Sequence, residues 1–357
     1  MATRKAEGRP RVTLKFLAER LGLSKTTISI VLNDSPLAHT IAEQTRERIF
    51  KAAKEYDYKP NFFARYLNQG RSYLVGVLTP ELGEGYDASL LAGIEQFLFQ
   101  SDYHFFVSSH QWSDTRLIKT AELFQERGVE GVILVNSEFF PKIDLPVVRI
   151  GRHSSANTGT SLMVDNHAGI LKAMEHLVSL GHRKIAVFKG HQFSADTEDR
   201  WDAVVAAARQ LSITIDPALV VQLERMGTRP EAPVEEGARC AEQLLPHRNK
   251  FTALLAFNDM SAIGAMNRFR DAGWNVPQDV SVIGFDDVME ACIAYPALTT
   301  VQQPLREMGE TAAREITSAI TDGVKDQQLV FTPKLIVRHS TAAVRASELH
   351  HRSKSLV

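Results

Sequence analysis

The sequence predicts an all-α N-terminal headpiece followed by an α/β body that contains two doubly wound subdomains. Charge is the first observation behind this division. Residues 1–72 carry 14 Lys or Arg against 7 Asp or Glu, whereas the 357-residue chain carries 41 against 42, so the body is acidic. Periodicity is the second, because three short helical patterns give way after Tyr73 to alternating apolar runs and amphipathic segments. A basic module on an acidic body indicates nucleic-acid binding combined with a different task.

Bulk composition limits the class of protein. Hydrophobic residues make up 44% and charged residues 23% of the chain, which is ordinary for a soluble globular protein. No apolar run reaches the ~18–20 residues that span a bilayer, and the basic N-terminus lacks the apolar segment of a secretory signal. Cys240 and Cys292 lack the spacing of a disulfide framework or a metal site. We therefore expect a cytoplasmic protein with no membrane partner, metal or cofactor.

Three amphipathic segments define the headpiece. The first covers residues 13–20, with Thr13 as a suitable N-cap, and Gly22 ends it. The second begins after Ser24, another suitable N-cap, and runs for about two turns. The third covers about residues 42–55. Two helices joined by a short Gly-containing turn, with a third helix behind them, predict a helix-turn-helix. A small helical bundle without a ligand is the alternative.

The second helix of a helix-turn-helix enters the major groove of DNA. Its N-terminal side chains Lys25, Thr26 and Ser29 would then face base edges and phosphates. A Lys side chain can donate to the guanine acceptors, and a Thr methyl group can contact the thymine methyl group.

Residues 12–33, VTLKFLAERLGLSKTTISIVLN, resemble the opening of the lactose/galactose repressor (LacI/GalR) family. The family pattern has an apolar-Thr start, a Gly-Val/Leu-Ser turn, Thr-Val/Ile-Ser and then Val-Leu-Asn. The likeness continues through residues 45–49 and 58–61. It implies a sequence-specific transcriptional regulator, a repressor in the first place and an activator as the alternative. Ile30 departs from the pattern, because the family usually has Arg or His there, and an aliphatic side chain can only pack on a thymine methyl group.

Residues 60–72 are predicted to form a hinge helix and a linker. Pro60 suits the first turn of a helix, but so short a helix is marginal alone and is expected to fold on a partner. The resemblance implies that hinge helices of two subunits lie in the minor groove. Leu67 would open a base step there and Ala64 would allow close approach, with packing of Leu67 against the body as the alternative. The residues expected to contact DNA are Thr13, Ser24, Lys25, Thr26, Thr27, Ser29, Ile30, Asn33, Asn61, Ala64, Arg65 and Leu67.

The body alternates β-branched apolar runs with amphipathic segments. The predicted strands are residues 74–78, 104–108, 132–135, 147–150, 185–188, 254–257 and 280–285. The predicted helices are about residues 88–100, 115–127, 167–180, 198–210, 235–245, 260–272 and 304–321. This alternation is typical of doubly wound α/β units, and the number of units favours two subdomains.

The resemblance extends over nearly the whole body and is clearest in residues 276–287, VPQDVSVIGFDD, and 296–301, PALTTV. It implies the type I periplasmic-binding-protein fold, in which chain crossings link two subdomains around a ligand cleft. The expected parts are a flexible extension at 1–11, a helix-turn-helix DNA-binding domain at 12–59, a hinge helix and linker at 60–72, an effector-binding and dimerisation domain at 73–340, and a disordered tail at 341–357. Within that domain we expect an N-subdomain of about 73–165 plus 297–325 and a C-subdomain of about 166–296 plus 326–340.

Polar residues that follow strands are candidates for effector contacts, because ligands of open α/β sheets lie beyond the carboxyl ends of the strands. Asn258 and Asp286 each lie at such an end, and a buried sugar needs donors and acceptors of this kind. Helix capping is the alternative role of Asn258. Tyr86 and Asp87 follow the first strand and offer a ring for stacking and a hydroxyl acceptor. Arg149 offers a cation near the end of the fourth strand.

Arg200 falls at the effector-contacting arginine of the family. The family usually has Arg-x-x-Gly-aromatic there, whereas this chain has Ala203 and Val204 at the last two positions. Residues 79–87 also lack the family's Asn-Pro-Phe-Phe-like run. A neutral sugar is the commonest effector of the family, so it is our expectation, and an anionic or nucleobase ligand is the alternative.

The resemblance implies a twofold-symmetric homodimer on a pseudo-palindromic operator. A solute-binding protein without a regulatory role is the remote alternative, and the basic headpiece argues against it. The sequence contains no Gly-x-x-x-x-Gly-Lys loop, His-Glu-x-x-His motif or Gly-x-Ser-x-Gly elbow. We therefore expect no catalytic residues and no enzyme activity.

Overall fold

The computed structural model describes residues 12–33, 35–58, 71–83, 85–137, 143–151, 159–192, 194, 196–224 and 231–344. The chain divides into two compact units, Met1–Ser72 and Tyr73–Val357. The three headpiece helices lie in the first unit, and every strand described lies in the second.

The headpiece helices are α1 (Leu14–Leu21), α2 (Lys25–Leu32) and α3 (Glu43–Glu55), with a short 3₁₀ helix at Pro36–Thr40 between the last two. Helix α1 begins where the Thr13 hydroxyl accepts a hydrogen bond from the Phe16 amide. It ends at Gly22, whose positive φ of 65° suits glycine at a helix C-terminus. The three predicted headpiece helices are therefore present within one residue of their expected ends.

A small apolar core holds these helices together. Its buried members are Leu17, Ala18, Ile28, Val31, Ile49 and Ala52. Each helix contributes two of these side chains, so that α1 and α3 fix the orientation of α2. Arg48 of α3 also donates a hydrogen bond to the carbonyl of Leu21, at the C-terminal end of α1, at 3.3 Å.

The body contains twelve described strands and eight described α-helices. The strands are β1 (Leu74–Thr79), β2 (His104–Ser109), β3 (Gly131–Val135), β4 (Val147–Ile150), β5 (Thr160–Val164), β6 (Ile185–Lys189), β7 (Val220–Gln222), β8 (Ala253–Leu255), β9 (Ser281–Asp286), β10 (Thr299–Gln302), β11 (Gln327–Phe331) and β12 (Lys334–Ile336). The helices are α4 (Gly85–Gln100), α5 (Asp114–Glu126), α6 (Asn166–Ser179), α7 (Asp196–Gln210), α8 (Ala232–Leu244), α9 (Asp259–Asp271), α10 (Met289–Ile293) and α11 (Leu305–Asp322).

The strands form two six-stranded sheets. The N-subdomain sheet has the order β11-β5-β4-β3-β1-β2 and is parallel throughout; Val77, for example, pairs with Val107 and with Ile133. The C-subdomain sheet has the order β12-β10-β9-β8-β6-β7, and only β12 is antiparallel to its neighbour. The predicted fold class, a helical headpiece and two doubly wound α/β subdomains, is confirmed.

Both faces of the C-subdomain sheet are covered, which explains its nearly continuous apolar strands. Leu254 and Val282 pack with Phe269 of α9 on one face. Leu255 and Ile283, the next residue along each strand, belong to the core on the other face, which α6 and α7 cover. The alternation of side chains along a strand thus supplies two separate cores from one apolar run.

The structure corrects the predicted subdomain boundaries. We expected residues 297–325 in the N-subdomain and 326–340 in the C-subdomain, but β10 pairs with β9 of the C-subdomain sheet and β11 pairs with β5 of the N-subdomain sheet. The chain therefore passes between the subdomains after β5, after β10 and after β11. The boundary was wrong because β10 and β11 are short, and because β11 pairs with β5, which lies far earlier in the sequence.

The start of the predicted disordered tail is also corrected. Residues 341–344 are hydrogen-bonded to the C-subdomain, where the amide of Val344 donates to the carbonyl of Leu180 at 3.0 Å. The Thr341 hydroxyl lies 2.9 Å from Nε2 of His176, and His182 Nε2 lies 3.0 Å from the Ala342 carbonyl. Residues 345–357 lie outside the described residues.

Close helix packing depends on glycine in the N-subdomain. Helices α4 and α11 approach each other so closely that a Cβ atom on Gly93 would lie 2.0 Å from the carbonyl oxygen of Arg306. The same is true of Gly309, where a Cβ atom would lie 2.1 Å from the carbonyl oxygen of Leu90. Because α11 follows the second crossing, this contact ties the late part of the chain to the first helix of the body.

Gly93→Ala is expected to destabilise the body by about 1–3 kcal/mol, because the added methyl group overpacks a backbone contact. The sign of this stability change is informative, because at an exposed position inside a helix Ala is more favourable than Gly by roughly 1 kcal/mol. Thermal unfolding of the full chain measures the effect, with Glu95→Ala on the exposed side of α4 as the matched control. An unchanged or higher melting temperature for Gly93→Ala would contradict the close contact.

Candidate effector cleft and DNA-binding face

The N-terminal half of α2 presents the face that the sequence predicts for base contacts. Lys25 and Thr26 are exposed, whereas Ser29 and Ile30 are half-buried. Ser24 caps the helix by accepting a hydrogen bond from the Thr27 amide at 3.0 Å. The positive end of the α2 dipole is thus exposed beside a Lys side chain, which is an arrangement that attracts phosphate.

The other predicted DNA contacts have mixed positions. Thr13 is exposed at the N-terminus of α1, and Thr27 shares a 2.8 Å hydrogen bond with Ser24. Asn33 donates to the Ser29 hydroxyl at 3.0 Å, so these two side chains hold each other at the end of α2. The predicted hinge contacts Asn61, Ala64, Arg65 and Leu67 lie outside the described residues.

A cleft lies at the carboxyl ends of strands from both sheets, and it encloses about 740 Å³ free of protein atoms, part of it open to solvent. It is lined by Pro80, Glu81, Tyr86, Asp87, Trp112, Asn136, His191, Ser194, Asp196, Arg200, Pro233, Phe257, Asn258 and Asp286. Five of the six residues predicted as effector contacts are in this set. The strand-end rule located the site because the carboxyl ends of parallel strands meet at one edge of each sheet.

The N-subdomain wall is built on β1, β3 and α4. Asp87 is buried in the first turn of α4 and accepts a short hydrogen bond from the Thr79 hydroxyl, at the end of β1. Tyr86 precedes it, and burial raises the pKa of the Tyr86 hydroxyl well above its usual value, as do the nearby carboxylates, chiefly Asp196 and Asp286. The Tyr86 hydroxyl is therefore neutral and able to donate a hydrogen bond.

Arg200 of α7 is held rigidly in the C-subdomain wall. Its guanidinium lies over two aromatic rings, 4.6 Å from the centroid of Phe257 and 3.9 Å from that of Phe285. Its Nε donates to Oδ1 of Asn166 at 3.0 Å, and one terminal nitrogen donates to the Phe257 carbonyl at 2.8 Å. A third nitrogen lies 3.9 Å from Asp196. Stacking and fixed hydrogen bonds preorganise this cation for a ligand.

Asn258 and Asp286 occupy the ends of β8 and β9 as predicted. Asn258 caps α9 by accepting from the Ser261 amide at 2.9 Å, so the capping role is present and the residue also lines the cleft. Asp286 accepts from the Gln303 side chain at 2.6 Å. Behind it, burial raises the pKa of Asp259, and the Asp286 carboxylate raises it further.

The structure corrects the predicted role of Arg149 as an effector contact. It is buried within β4 and is not among the residues that line the cleft. Its guanidinium lies toward Gly159, which precedes β5 and so marks the amino edge of the sheet, opposite the cleft. Burial lowers the pKa of Arg149. The prediction was wrong because the long Arg149 side chain extends toward the amino edge of the sheet, which its position in the sequence does not determine.

Several cleft residues were not predicted from the sequence. They are Pro80, Glu81, Trp112, Asn136, His191, Ser194, Asp196, Pro233 and Phe257. Asn136 and His191 come just after β3 and β6, so the strand-end rule would have found them. Trp112 carries no such signal, because it reaches the cleft through a turn in which Gln111 and Trp112 both have positive φ.

Negative charge predominates in the lining. Among the described lining residues, Glu81, Asp87, Asp196 and Asp286 contribute four carboxyl groups, against the guanidinium of Arg200 and the imidazole of His191. Tyr86, Trp112 and Phe257 add aromatic surface. Carboxylates accept hydrogen bonds from hydroxyl groups and repel anions.

Two family profiles match the chain. The one described as "Bacterial regulatory proteins, lacI family" matches residues 13–61, and the one described as "Periplasmic binding protein-like domain" matches residues 174–341. The HTH-type transcriptional repressor PurR of Yersinia enterocolitica is 30% identical over 342 residues, which cover 92% of this chain and 97% of that protein. The chain belongs to the LacI family of bacterial regulatory proteins.

Solved structures of the LacI family have the same fold. The lac repressor dimer bound to operator and the anti-inducer ONPF is 25% identical with a TM-score of 0.81, and the match covers 93% of this chain and 99% of that one. The transcriptional regulator CelR in complex with cellobiose is 26% identical with a TM-score of 0.67, and the match covers 92% and 100% of the two chains. This LacI-family chain is thus a DNA-binding transcriptional regulator with an effector-binding body.

Two features are absent from the described residues. None of their helices has the length and apolar character needed to cross a lipid bilayer. In the same part of the chain, no group of three or more His, Cys, Asp and Glu side chains is arranged to hold a metal ion.

Acid is expected to destabilise the cleft wall through His110. This residue follows β2, its Nε2 lies 2.6 Å from the Ser137 hydroxyl, and burial lowers its pKa from 6.5 to about 4. In the unfolded chain the His110 imidazole takes up a proton near pH 6.5, whereas in the folded chain it stays neutral down to about pH 4. Stability from the neutral imidazole is therefore lost as the pH falls through this window.

Melting temperatures of the full chain between pH 7.5 and 4.5 test this expectation. His110→Asn should give a shallower acid slope than the parent chain, whereas the control His104→Asn, at an exposed position of β2, should leave the slope unchanged. Equal slopes for parent and His110→Asn would show that the buried imidazole does not set the acid response.

Proposed function

We propose that this regulator is a repressor whose affinity for operator DNA is controlled by a neutral sugar bound in the cleft. The observation that carries the proposal is the lining itself, with carboxyl, amide and hydroxyl groups beside aromatic rings. Sugar hydroxyls lose their water when they are buried, so each needs a donor or acceptor from the protein. The aromatic rings offer surface to the apolar faces of a sugar ring.

The charge of the cleft lining favours a neutral sugar over an anionic ligand. A phosphorylated metabolite would bring negative charge beside Glu81, Asp87, Asp196 and Asp286, and among the described residues Arg200 is the one arginine of the lining that offsets it. That arginine already donates to Asn166 and to the Phe257 carbonyl. Like charges at short range disfavour binding by several kcal/mol in a poorly solvated site. The cellobiose complex of the similar regulator CelR supports a neutral sugar as well.

The route from effector to DNA begins at the chain crossings. Asn166, which bonds Arg200, is the first residue of α6 and follows the first crossing, while Gln303, which bonds Asp286, follows β10 at the second. A ligand that contacts Arg200 and Asp286 therefore touches two side chains that are hydrogen-bonded to the crossing segments between the subdomains. Effector and operator then influence each other reciprocally, typically by about 1–3 kcal/mol.

DNA recognition is assigned to α2 and the hinge. Lys25, Thr26 and Ser29 face base edges, with Ile30 on a thymine methyl group, while Thr13 and Ser24 contact phosphates. Thr27 and Asn33 support this face through their hydrogen bonds to Ser24 and Ser29. The hinge residues Asn61, Ala64, Arg65 and Leu67 enter the minor groove, where Leu67 opens a base step.

Removal of the Arg200 side chain tests the role of the cleft. We expect Arg200→Ala to bind operator like the parent chain but to lose the response to sugar, since no other guanidinium among the described residues lines the cleft. Operator fragments are first selected from a random duplex pool with the full chain. Fluorescence anisotropy then measures their Kd with and without each neutral sugar of a panel. The expected shift for an active sugar is about 5–150-fold.

Arg209→Ala provides the matched control, because this arginine is exposed near the C-terminal end of the same helix and does not line the cleft. It should keep the full sugar response. A response that persists in Arg200→Ala would remove the cleft assignment. A response only to phosphorylated or nucleobase compounds would replace the neutral sugar with the alternative effector class.

An exposed apolar surface supports the homodimer. Met289, Ile293 and Tyr295 lie close together in sequence around α10, and their exposed fractions are 69%, 70% and 89%. Phe99 and Phe106 are exposed on the N-subdomain. Clusters of large exposed apolar side chains mark association surfaces. We assign the Met289–Ile293–Tyr295 surface to the partner subunit.

Tyr295→Asp is expected to convert the dimer to monomers at micromolar concentration, because burial of an unpaired carboxylate opposes association. Sedimentation velocity measures the oligomeric state of the full chain. Val324→Asp, another exposed apolar position remote from α10 in sequence, is the matched control and should remain dimeric. A Tyr295→Asp variant that stays dimeric would place the interface elsewhere.

A further inference from the structure

The chain enters the body at Tyr73, where neighbouring strands hold its backbone. Tyr73 directly precedes β1 and is the first residue of the second compact unit. The predicted hinge and linker, residues 60–72, end immediately before it. Because the backbone is continuous, the conformation of Tyr73 sets the direction of the chain at the point where the linker joins the body.

Both backbone polar groups of Tyr73 are hydrogen-bonded within the N-subdomain. Its amide donates to Oε1 of Glu130 at 2.9 Å, and its carbonyl accepts from the His104 amide at 2.9 Å. Glu130 directly precedes β3, and its own amide donates to the Leu74 carbonyl at 2.8 Å. We name Tyr73, His104 and Glu130 the entry clamp. Because Tyr73 lies outside β1, the Glu130 side chain supplies an acceptor to an amide at the very start of the body.

The conformation of Tyr73 is strained. Its φ is 55°, in the left-handed region that a bulky side chain rarely adopts. Such a conformation persists only where the surrounding structure enforces it. The entry clamp supplies part of that enforcement, and the Tyr73 ring also stands edge-on to the ring of Tyr103, with 5.4 Å between the centroids. A plain tether between domains needs no such arrangement, because linkers normally run over the surface with few fixed contacts.

The strands beside the entry clamp also lead to the effector cleft. Strands β1 and β3 are buried and pair in parallel from Val75 and Gly131 onward. At their carboxyl ends, the Thr79 hydroxyl bonds the cleft residue Asp87, and Asn136 lines the cleft itself. The entry clamp and part of the cleft wall therefore lie at opposite ends of one pair of strands.

We propose that Glu130 is a positioning residue for operator binding, because its bond to the Tyr73 amide fixes the direction in which the hinge leaves the body. This inference rests on the proposed entry of the hinge into the minor groove and extends it to the residue that presents the hinge. Glu130 itself contacts no DNA. A fixed entry point reduces the conformational freedom that the hinge loses when it orders on DNA, so it lowers the entropic cost of binding.

Removal of the Glu130 carboxylate tests this role. In Glu130→Ala, the Kd for the selected operator should rise about tenfold, because the hinge is less preorganised. The Kd for a random duplex of equal length should stay the same, because non-specific binding depends on the charge of the headpiece. Fluorescence anisotropy of the full chain measures both constants. Glu130→Gln keeps an acceptor oxygen and should retain most of the operator affinity.

Glu126→Ala is the matched control, because this acid is exposed at the C-terminal end of α5 and lies only four residues before Glu130. It should bind both duplexes like the parent chain. Melting temperatures report whether each variant is folded. An equal loss of affinity for both duplexes in a folded Glu130→Ala would overturn the role of the entry clamp.

A second variant leaves every residue of the body intact. Two glycines inserted between Gly70 and Arg71 keep the entry clamp but free the hinge from it, so the operator Kd should rise as in Glu130→Ala. This result does not depend on how well Glu130→Ala folds. Unchanged operator affinity in the insertion variant would overturn the inference.

Leu67→Ala separates this inference from the proposed function of the hinge. Operator affinity that falls in Leu67→Ala but not in Glu130→Ala would overturn the entry clamp and leave the contact between hinge and DNA standing. Operator affinity that stays unchanged in Leu67→Ala would overturn the contact and the entry clamp together.

Discussion

The stacked guanidinium of Arg200 is the interaction on which the cleft depends. Phe257 and Phe285 come from the ends of β8 and β9, so their rings are fixed by the sheet, and the cation between them joins α7 to both strands. Asn166 connects the same cation to the first chain crossing. Loss of this group would leave two aromatic rings without their cation and Asn166 without a donor, in a region that water scarcely reaches.

Backbone strain is concentrated around that site. Gln111, Trp112, Asn136, Asp286 and Asp287 all have positive φ. Asn136 follows β3, Asp286 and Asp287 lie at the end of β9, and Gln111 and Trp112 lie in the turn after β2. Non-glycine residues in this region cost of order 1–3 kcal/mol each and persist only where the surrounding structure enforces them. The two sheets and their covering helices supply that enforcement. The side chains that contact a ligand are therefore held in position before the ligand binds.

Periodicity predicted most of the body because helices and buried strands are local patterns. Each predicted helix is present within a few residues, but β5, β7, β10, β11 and β12 were not predicted, since they are short and carry polar residues. The predicted subdomain boundaries were wrong because β10 was not recognised as a strand that continues the C-subdomain sheet after β9, and because β11 pairs with β5, far away in the sequence. The cleft residues at strand ends were predicted because the topology of the sheets determines where those ends lie. Trp112 was not predicted because its position depends on the geometry of a turn. Arg149 was misplaced because the direction of its side chain is not determined by the local sequence.

The exchange of β10 and β11 between the sheets affects the order in which the chain can fold during synthesis. The N-subdomain sheet is incomplete until β11 has been synthesised at residue 331, and the C-subdomain sheet is incomplete until β12 has been synthesised at residue 336. The headpiece core needs only residues 12–58. Since domains fold as they emerge, the headpiece is complete long before the regulatory body exists. The two subdomains, by contrast, must mature together, and a chain shortened by its last few dozen residues would leave both unfinished.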